Sequence, residues 1–278
     1  MILSNFHTHT NYSDGKNTME EYIKEAIEKM CMYLGFSDHS PVDFASEWNM
    51  KFSNVGAYFN EIEKLKSIVP PNFNLYAGME VDYYPDNKIF PEIYAYNPDY
   101  IIGAVHFMGY FDNGEVFTID GGSDQVKKGL HQLFGGNASK LIKTYFNNIC
   151  KMIESFNPDI IAHIDVLQKH NVDYFLGTDT SPEYLKNVAE CLQLAKEKNC
   201  MIELNTSGLT RSWRKVMYPA PAILQSIAAL EIPVVINADA HQIPNLTANF
   251  YNGVTYLKSN GINSQFILQN RIWKSESL

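Results

Sequence analysis

Short apolar runs alternate along the chain with longer amphipathic segments. Several runs are almost continuously apolar, as in 100–105 and 200–204, which is typical of strands that are buried on both faces of a sheet. We predict strands over 2–6, 34–36, 74–81, 100–105, 160–162, 200–204 and 232–236, with a weaker strand near 266–268. Because strands and helices alternate regularly, the pattern predicts a parallel α/β sheet, and seven strands favour a closed or distorted (β/α)7 barrel.

The segments between the strands carry helix start and stop signals. Thr18 and Glu21 match a capping box, and Ser181 precedes Pro182, which suits the first position of a helix. We predict helices from Thr18 onward, over 55–69, 140–156, 181–198 and 220–230, and in the tail from Thr247. Because no repeat, low-complexity tract or linker interrupts this pattern, residues 1–278 are expected to form a single domain.

One stretch departs from the alternation. Residues 109–136 contain three turn signals, at Asn113-Gly114, Gly121-Gly122 and Gly135-Gly136. We interpret the stretch as an inserted loop after the fourth strand, of the kind that often carries specificity.

Composition narrows the class of protein. The chain has 278 residues, which suits one α/β barrel, and its net charge is −9 without any run of Lys or Arg. This balance argues against a protein that binds long nucleic acids, although bound metal ions would add positive charge locally. The four cysteines form no Cys-x-x-Cys pair, and no signal-like or membrane-spanning apolar segment is evident. We therefore expect a cytoplasmic protein with reduced thiols and no membrane partner.

Histidines and carboxylates fall at the ends of the predicted strands. Because the carboxyl ends of parallel strands share one rim of a barrel, these side chains should converge there. Residues i and i+2 of an extended chain face the same side, which pairs the members of each His-x-His or Asp-x-His motif. Mixed imidazole and carboxylate ligands suit Zn, Mn or Fe, and nine ligands suit two or three divalent ions. The candidate ligands are His7, His9, Asp14, His39, Glu80, His106, His163, Asp239 and His241.

Each of these residues has an ordinary alternative when it is taken alone. A single histidine at a strand end is more often a core or surface residue, and Asp14-Gly15 alone is most often a turn. Asp38 has the alternative of contacting the metal ligands without binding a metal ion itself. The joint pattern is more specific, because six of the eight histidines follow strands. His131 and His170 do not, and we expect them at the surface or in loops.

The order of these motifs resembles the PHP superfamily, named for polymerase and histidinol phosphatase domains. The chain has, in order, His-x-His, Asp-Gly, Asp-His, Gly-x-Glu, two separate histidines and Asp-x-His across residues 7–241. The stretches 38–41, 134–136, 158–165 and 203–209 make it similar to the monofunctional histidinol-phosphate phosphatases within that superfamily. The resemblance implies a distorted seven-stranded barrel. It also implies three metal sites: one held by His7, His9, Glu80 and Asp239, one by Glu80, His106 and His163, and one by Asp14, His39 and His241.

The implied activity is hydrolysis of L-histidinol phosphate to L-histidinol and phosphate, a step of histidine biosynthesis. The expected nucleophile is a hydroxide that bridges two ions. Asp239, His241 or a metal-bound water would protonate the leaving group. Relatives carry a phosphate-binding Arg directly after a Thr-Ser-Gly-Leu segment, where this chain has Thr210. Our first candidate is therefore Arg211, with Arg214 second and Lys169 as a further phosphate contact.

Two other functions remain open from the sequence. A second phosphoesterase function would use a nucleotide or a short oligonucleotide, and a substrate panel would separate it from the first. A metal-binding module without turnover belongs to another class, and missing ligands would favour it. The sequence leaves open whether the protein is a monomer or a homodimer.

Overall fold

The computed structural model describes residues 2–84, 91–171, 173–212 and 215–278. In chain order the strands are β1 (Ser4–Asn5), β2 (Tyr33–Phe36), β3 (Asn74–Asp82), β4 (Tyr100–Ala104), β5 (Phe107–Tyr110), β6 (Val116–Thr118), β7 (Ile160–Ile161), β8 (Met201–Asn205), β9 (Val234–Asn237), β10 (Ser264–Gln269) and β11 (Ile272–Ser277). The helices are α1 (Met19–Glu28), α2 (Val55–Lys66), α3 (Pro91–Ala95), α4 (Ser123–Phe134), α5 (Ala138–Phe156), α6 (Pro182–Lys198), α7 (Gly208–Arg211), α8 (Pro221–Ala229) and α9 (Phe250–Ser259).

Seven parallel strands of the described chain form one sheet, in the order β1-β2-β3-β4-β7-β8-β9. The two outer strands meet at their C-terminal ends, where His9 N donates to Ala240 O at 2.9 Å and Ala240 N donates to His7 O at 3.1 Å. Nearer the start of these strands, the Asn237 side-chain oxygen accepts a hydrogen bond from Phe6 N, and the Asn5 side-chain oxygen accepts one from Ala238 N. Side-chain amides thus replace part of the ladder, and the predicted distorted seven-stranded barrel is confirmed.

The interior of the barrel is filled by large apolar side chains, among them the fully buried Phe6 and Tyr100. The antiparallel hairpin β10–β11 packs against this cluster, and Trp273 meets the ring of Phe6 edge-on with 5.2 Å between centroids. The weak strand near 266–268 is therefore real. Its partner β11 escaped prediction because most of its residues are exposed and give little apolar signal.

The helices cover the outside of the sheet. Thr18 and Glu21 form the predicted capping box of α1, and the Ser181 hydroxyl accepts from Tyr184 N at the start of α6. The other predicted helices are also present, with small shifts at their ends. In the described part of the chain, no helix combines the length and apolar character needed to cross a bilayer.

The prediction of an inserted loop over 109–136 is wrong. The stretch continues the β5–β6 hairpin and then forms the helix α4. Val126, Leu130 and Phe134 recur every four residues and are buried, which gives the helix an apolar stripe. Two of the glycines that suggested a loop, Gly122 and Gly135, instead occupy the N-cap and the left-handed C-cap of α4. We call residues 107–136 the insertion.

Candidate metal centre and substrate cleft

The first part of the site comes from the junction of β1 and β9. The backbone bonds between His7, His9 and Ala240 fix the register of these two segments. Because alternate residues point the same way, His7 and His9 face inward together with Asp239 and His241. The His9 and His241 rings stack with 4.1 Å between centroids, and His9 Nε2 lies 3.4 Å from Asp239 Oδ1. Barrel closure therefore builds this part of the site.

Asp14 reaches the same place from the loop after β1. The loop is held by Asp38, whose Oδ1 accepts from Thr10 N at 2.8 Å and from the Ser13 hydroxyl at 2.6 Å. Burial raises the pKa of Asp38 to about 6, although these hydrogen bonds act in the opposite direction. Asp14 Oδ2 then lies 3.0 Å from His241 Nε2. Asp38 thus supports the loop that presents Asp14 and lies outside the groups of potential ligands found among the described residues.

Glu80, within β3, is the centre of the cluster. Its Oε2 lies 3.0 Å from His39 Nδ1 and 3.3 Å from His7 Nε2, and its Oε1 lies 3.2 Å from His163 Nε2. The same Oε2 also lies 3.4 Å from His9 Nε2. A buried carboxylate with imidazoles around both oxygens has the arrangement needed to bridge two cations. Burial alone would raise its pKa, but the charges of His39 and His7 hold it well below the usual range.

Glu203 is a buried carboxylate that our sequence reasoning missed. His7 Nδ1 lies 2.6 Å from Glu203 Oε1, and the His163 backbone N–H donates to Oε2 at 2.9 Å. The side-chain amides of Asn205 and Asn237 donate to the remaining positions. A carboxylate on one ring nitrogen fixes the histidine so that the other nitrogen faces the site. The available signal was an acidic residue in the middle of the apolar strand 200–204.

Asp82 is a second residue that we missed. It lies two positions after Glu80 on β3, so both side chains face the same way. Its Oδ1 lies 2.5 Å from His106 Nδ1, and its Oδ2 lies 3.2 Å from His39 Nδ1. The structure therefore groups His106 with His39 and Asp82, whereas the resemblance implied a group with Glu80 and His163. Burial would lower the pKa of His106, but Asp82 raises it to about 9.

The structure brings all nine predicted ligands into one region. Their ligand atoms fall into overlapping groups of three or four within 4.8 Å: His9, Asp14, His39 and His241; His7, His9 and Asp239; His7, Glu80 and His163; His39, Asp82 and His106. Of the two histidines that we set apart, His131 is exposed and His170 is partly buried, and neither belongs to these groups.

Several buried atoms of this cluster fit a cation. Within the described chain, His7 Nε2, both ring nitrogens of His9, His39 Nδ1 and Glu80 Oε2 are buried and have no hydrogen-bond partner. Unpaired buried polar atoms are costly and call for an explanation, which a bound ion supplies. Burial, together with the charges of His241 and His39, lowers the pKa of His9 to about 3. His9 is thus neutral near pH 7, as a metal ligand must be.

A cleft of about 260 Å³ opens above the cluster. One wall, the rim wall, consists of those residues of the groups above that line the cleft: Asp14, His39, Glu80, His106, His163, Asp239 and His241. A second wall belongs to the insertion and presents Thr118, Asp120, Gly121 and Gln125 to the cleft. Trp48 also lines the cleft, and its ring stacks on Phe107 with 5.3 Å between centroids. The insertion therefore completes the cleft.

Two of the three basic candidates line the cleft. Arg211, the last residue of α7, donates from Nη1 to Asp239 Oδ1 at 3.2 Å and contacts His241 Nδ1 at 2.8 Å. Its side chain remains 34% exposed. Lys169 Nζ pairs with Asp120 Oδ2 at 3.1 Å, and both residues line the cleft. Arg214, our second phosphate candidate, lies outside the described residues. Cationic groups thus lie beside the cluster, where a phosphate group could be held.

Comparison with known proteins places this geometry in context. The family model for the PHP domain matches residues 5–207. A Deinococcus radiodurans protein described as a probable histidinol-phosphatase is 27% identical, with 93% of this chain and 94% of that protein covered. The histidinol-phosphatase of Bacillus subtilis is 25% identical, with 85% and 92% covered. A solved Lactococcus lactis histidinol phosphate phosphatase, complexed with zinc, L-histidinol and phosphate, is 17% identical with a TM-score of 0.71, and 98% of each chain is covered.

Proposed function

Because the chain belongs to the PHP domain family, we propose that it is a metal-dependent phosphomonoesterase that hydrolyses L-histidinol phosphate to L-histidinol and phosphate. The observation that carries this proposal is the convergence of histidines and carboxylates at the floor of a cleft lined by Arg211 and Lys169. Metal ions held at the floor of the cleft, together with the cationic side chains of Arg211 and Lys169, would neutralise the negative charge of a bound phosphate ester.

The relatives support the substrate. Two relatives described as histidinol-phosphatases match over most of their own length, so the resemblance is not confined to a shared fragment. The Lactococcus lactis protein of the same fold holds zinc, histidinol and phosphate together. On this proposal the protein takes part in histidine biosynthesis, and its partner is a small phosphomonoester.

We propose that two or three divalent ions, of Zn, Mn or Fe, are held by eight of the nine predicted ligands. His7, His9, Glu80 and Asp239 would hold one ion, Glu80 and His163 a second, and Asp14, His39 and His241 a third. Asp82 and His106 form a further pair beside the second group. When bound, such ions neutralise phosphoryl oxygens and lower the pKa of water towards neutrality.

The remaining tasks belong to side chains of the cleft. Arg211 can direct its planar fork of N–H donors to the phosphoryl oxygens, and Lys169 adds a second positive charge in the same cleft. Both side chains keep partial exposure, of 34% and 16%. Asp239 and His241 are 12% and 14% exposed, whereas His7 and His9 are fully buried. Their exposure supports the proposal that Asp239 or His241, or a metal-bound water, gives a proton to the leaving oxygen.

A substrate panel tests the proposal. Purified protein with Mn²⁺ would be assayed on L-histidinol phosphate, an aryl phosphate and nucleotides, with elemental analysis of the same sample. We expect kcat/KM for histidinol phosphate to exceed the other values by orders of magnitude, with at least two metal ions per chain. A comparable preference for nucleotides would overturn the substrate assignment.

A further inference from the structure

Asp120 differs from the other acidic side chains of the cleft. Among the described residues that line it, the carboxylates are Asp14, Glu80, Asp120 and Asp239. Three of them belong to the groups that could hold metal ions, whereas Asp120 belongs to none. It comes from the insertion and lies between the end of β6 and the start of α4. It is therefore a cleft carboxylate without a task in the proposed hydrolysis.

The contacts of Asp120 leave it able to bind a ligand. Its Oδ2 pairs with Lys169 Nζ at 3.1 Å, and the carboxylate side chain is 25% exposed. In the part of the chain that the structure describes, its Oδ1 makes no hydrogen bond. Thr118, two residues earlier, holds the Gln125 side chain through a 3.0 Å hydrogen bond, so this wall of the cleft is ordered by its own contacts.

The paired charges match the proposed substrate. In histidinol phosphate the carbon that bears the ammonium group is bonded to the carbon that bears the phosphate ester oxygen. The molecule thus carries a negative and a positive group close together. Lys169 and Asp120 present the opposite charges side by side in the same cleft. With the phosphate near Lys169, the ammonium group is within reach of Asp120.

We propose that Asp120 binds the ammonium group of the substrate and thereby selects amino-alkyl phosphates over other phosphate esters. This inference rests on the proposed function, since it names the group of that substrate which the insertion recognises. A hydrogen bond between charged partners is stronger than a neutral one, which suits a selective contact. The rim wall would act on the phosphate of any ester, and Asp120 would decide which ester is preferred.

The test compares two substrates in matched variants. Wild type, Asp120→Asn and Asp120→Glu would be assayed on histidinol phosphate and on its deamino analogue, in which hydrogen replaces the ammonium group. For Asp120→Asn we expect kcat/KM on histidinol phosphate to fall about 10- to 100-fold, mainly through KM, because a hydrogen bond to a charged group is lost. The value for the deamino analogue should change less than about threefold, a small fraction of that hydrogen-bond contribution. Asp120→Glu keeps the charge and should retain most of the preference.

Controls separate this inference from a structural role. Asp112→Asn, at the exposed turn between β5 and β6, should leave both values unchanged. Lys169→Met should weaken both substrates alike, because both carry the phosphate. Equal losses on both substrates in Asp120→Asn would show that Asp120 acts only through Lys169 and would overturn the inference. If wild type fails to hydrolyse histidinol phosphate at all, the proposed function fails first.

Discussion

The two walls of the cleft are built in different ways. The rim wall comes from strand ends tied by backbone hydrogen bonds, and its Glu80, like the neighbouring His7 and His9, is almost completely buried. The insertion wall rests on a hairpin and a helix, and its Asp120 is 25% exposed. The difference suggests a division of labour, in which the rim acts on any phosphate ester and the insertion selects among esters.

The largest effect on this division of labour is expected when the central carboxylate of the rim, Glu80, loses its charge. Glu80→Gln keeps the shape of the side chain and removes its charge. Because metal ions supply several kcal/mol of stabilisation to such reactions, we expect kcat/KM to fall about 10³-fold on every phosphate ester. The assay would use histidinol phosphate and an aryl phosphate, with metal content measured in parallel. Glu190→Gln on the exposed face of α6 is the control. A loss confined to one substrate would contradict the division.

Substitution of Glu203 tests whether this buried carboxylate supports metal binding by orienting the ligands that it contacts. In Glu203→Gln an amide would face four donors, among them His7 Nδ1 and the His163 N–H. Replacing such a supporting partner typically costs about 10- to 100-fold in metal affinity or activity. We therefore expect weaker metal binding and partial rescue of kcat by excess Zn or Mn. A lower melting temperature with unchanged metal affinity would show that Glu203 is only structural.

Arg211 tests the phosphate contact at the edge of the rim. For Arg211→Ala we expect kcat/KM to fall about 10- to 100-fold, since hydrogen bonds from a cation to the phosphate are lost. Metal content should change little, because a guanidinium is not a metal ligand. Kinetics and elemental analysis on the same preparation would show this. Unchanged kinetics in Arg211→Ala, together with a loss in Arg214→Ala, would show that we chose the wrong arginine.

The smallest expected effect concerns the insertion wall. A Cβ at Gly129 would lie 2.3 Å from the ring of Phe117, so Gly129→Ala must shift α4 or the hairpin. Overpacking of this kind costs about 1–3 kcal/mol of unfolding free energy. We expect a lower melting temperature and a weaker preference for histidinol phosphate, with aryl phosphate hydrolysis largely kept. Gly122→Ala meets no atom within 4 Å and is the matched control. Equal losses on both substrates would argue against a selective insertion.

The residues of the rim were predictable because the carboxyl ends of all strands in a parallel barrel lie at the same rim. His7, Glu80 and His163 are far apart in the chain, yet each follows or lies in a strand whose neighbours are fixed by topology. The pairing of His106 with Asp82 was not predictable in the same way. It depends on the side-chain directions at the ends of β3 and β4, which the order of motifs does not contain.

The insertion was mispredicted for a different reason. Its glycines match loop signals in the sequence, although two of them cap a helix whose buried positions include Val126, Leu130 and Phe134. The apolar spacing was present in the sequence, but three turn signals outweighed it. Glu203 was missed because a single acid within an apolar strand has no motif of its own. Tertiary contacts, with His7 above all, give it a role.

The most direct test of the central claim is hydrolysis of histidinol phosphate before and after removal of metal. The protein would be treated exhaustively with a chelator, assayed, and assayed again after addition of Zn²⁺ or Mn²⁺. If the converging histidines and carboxylates hold the ions that act on the phosphate, activity should disappear with the metal and return with either ion. Activity that persists in protein shown by elemental analysis to be free of metal would contradict the account.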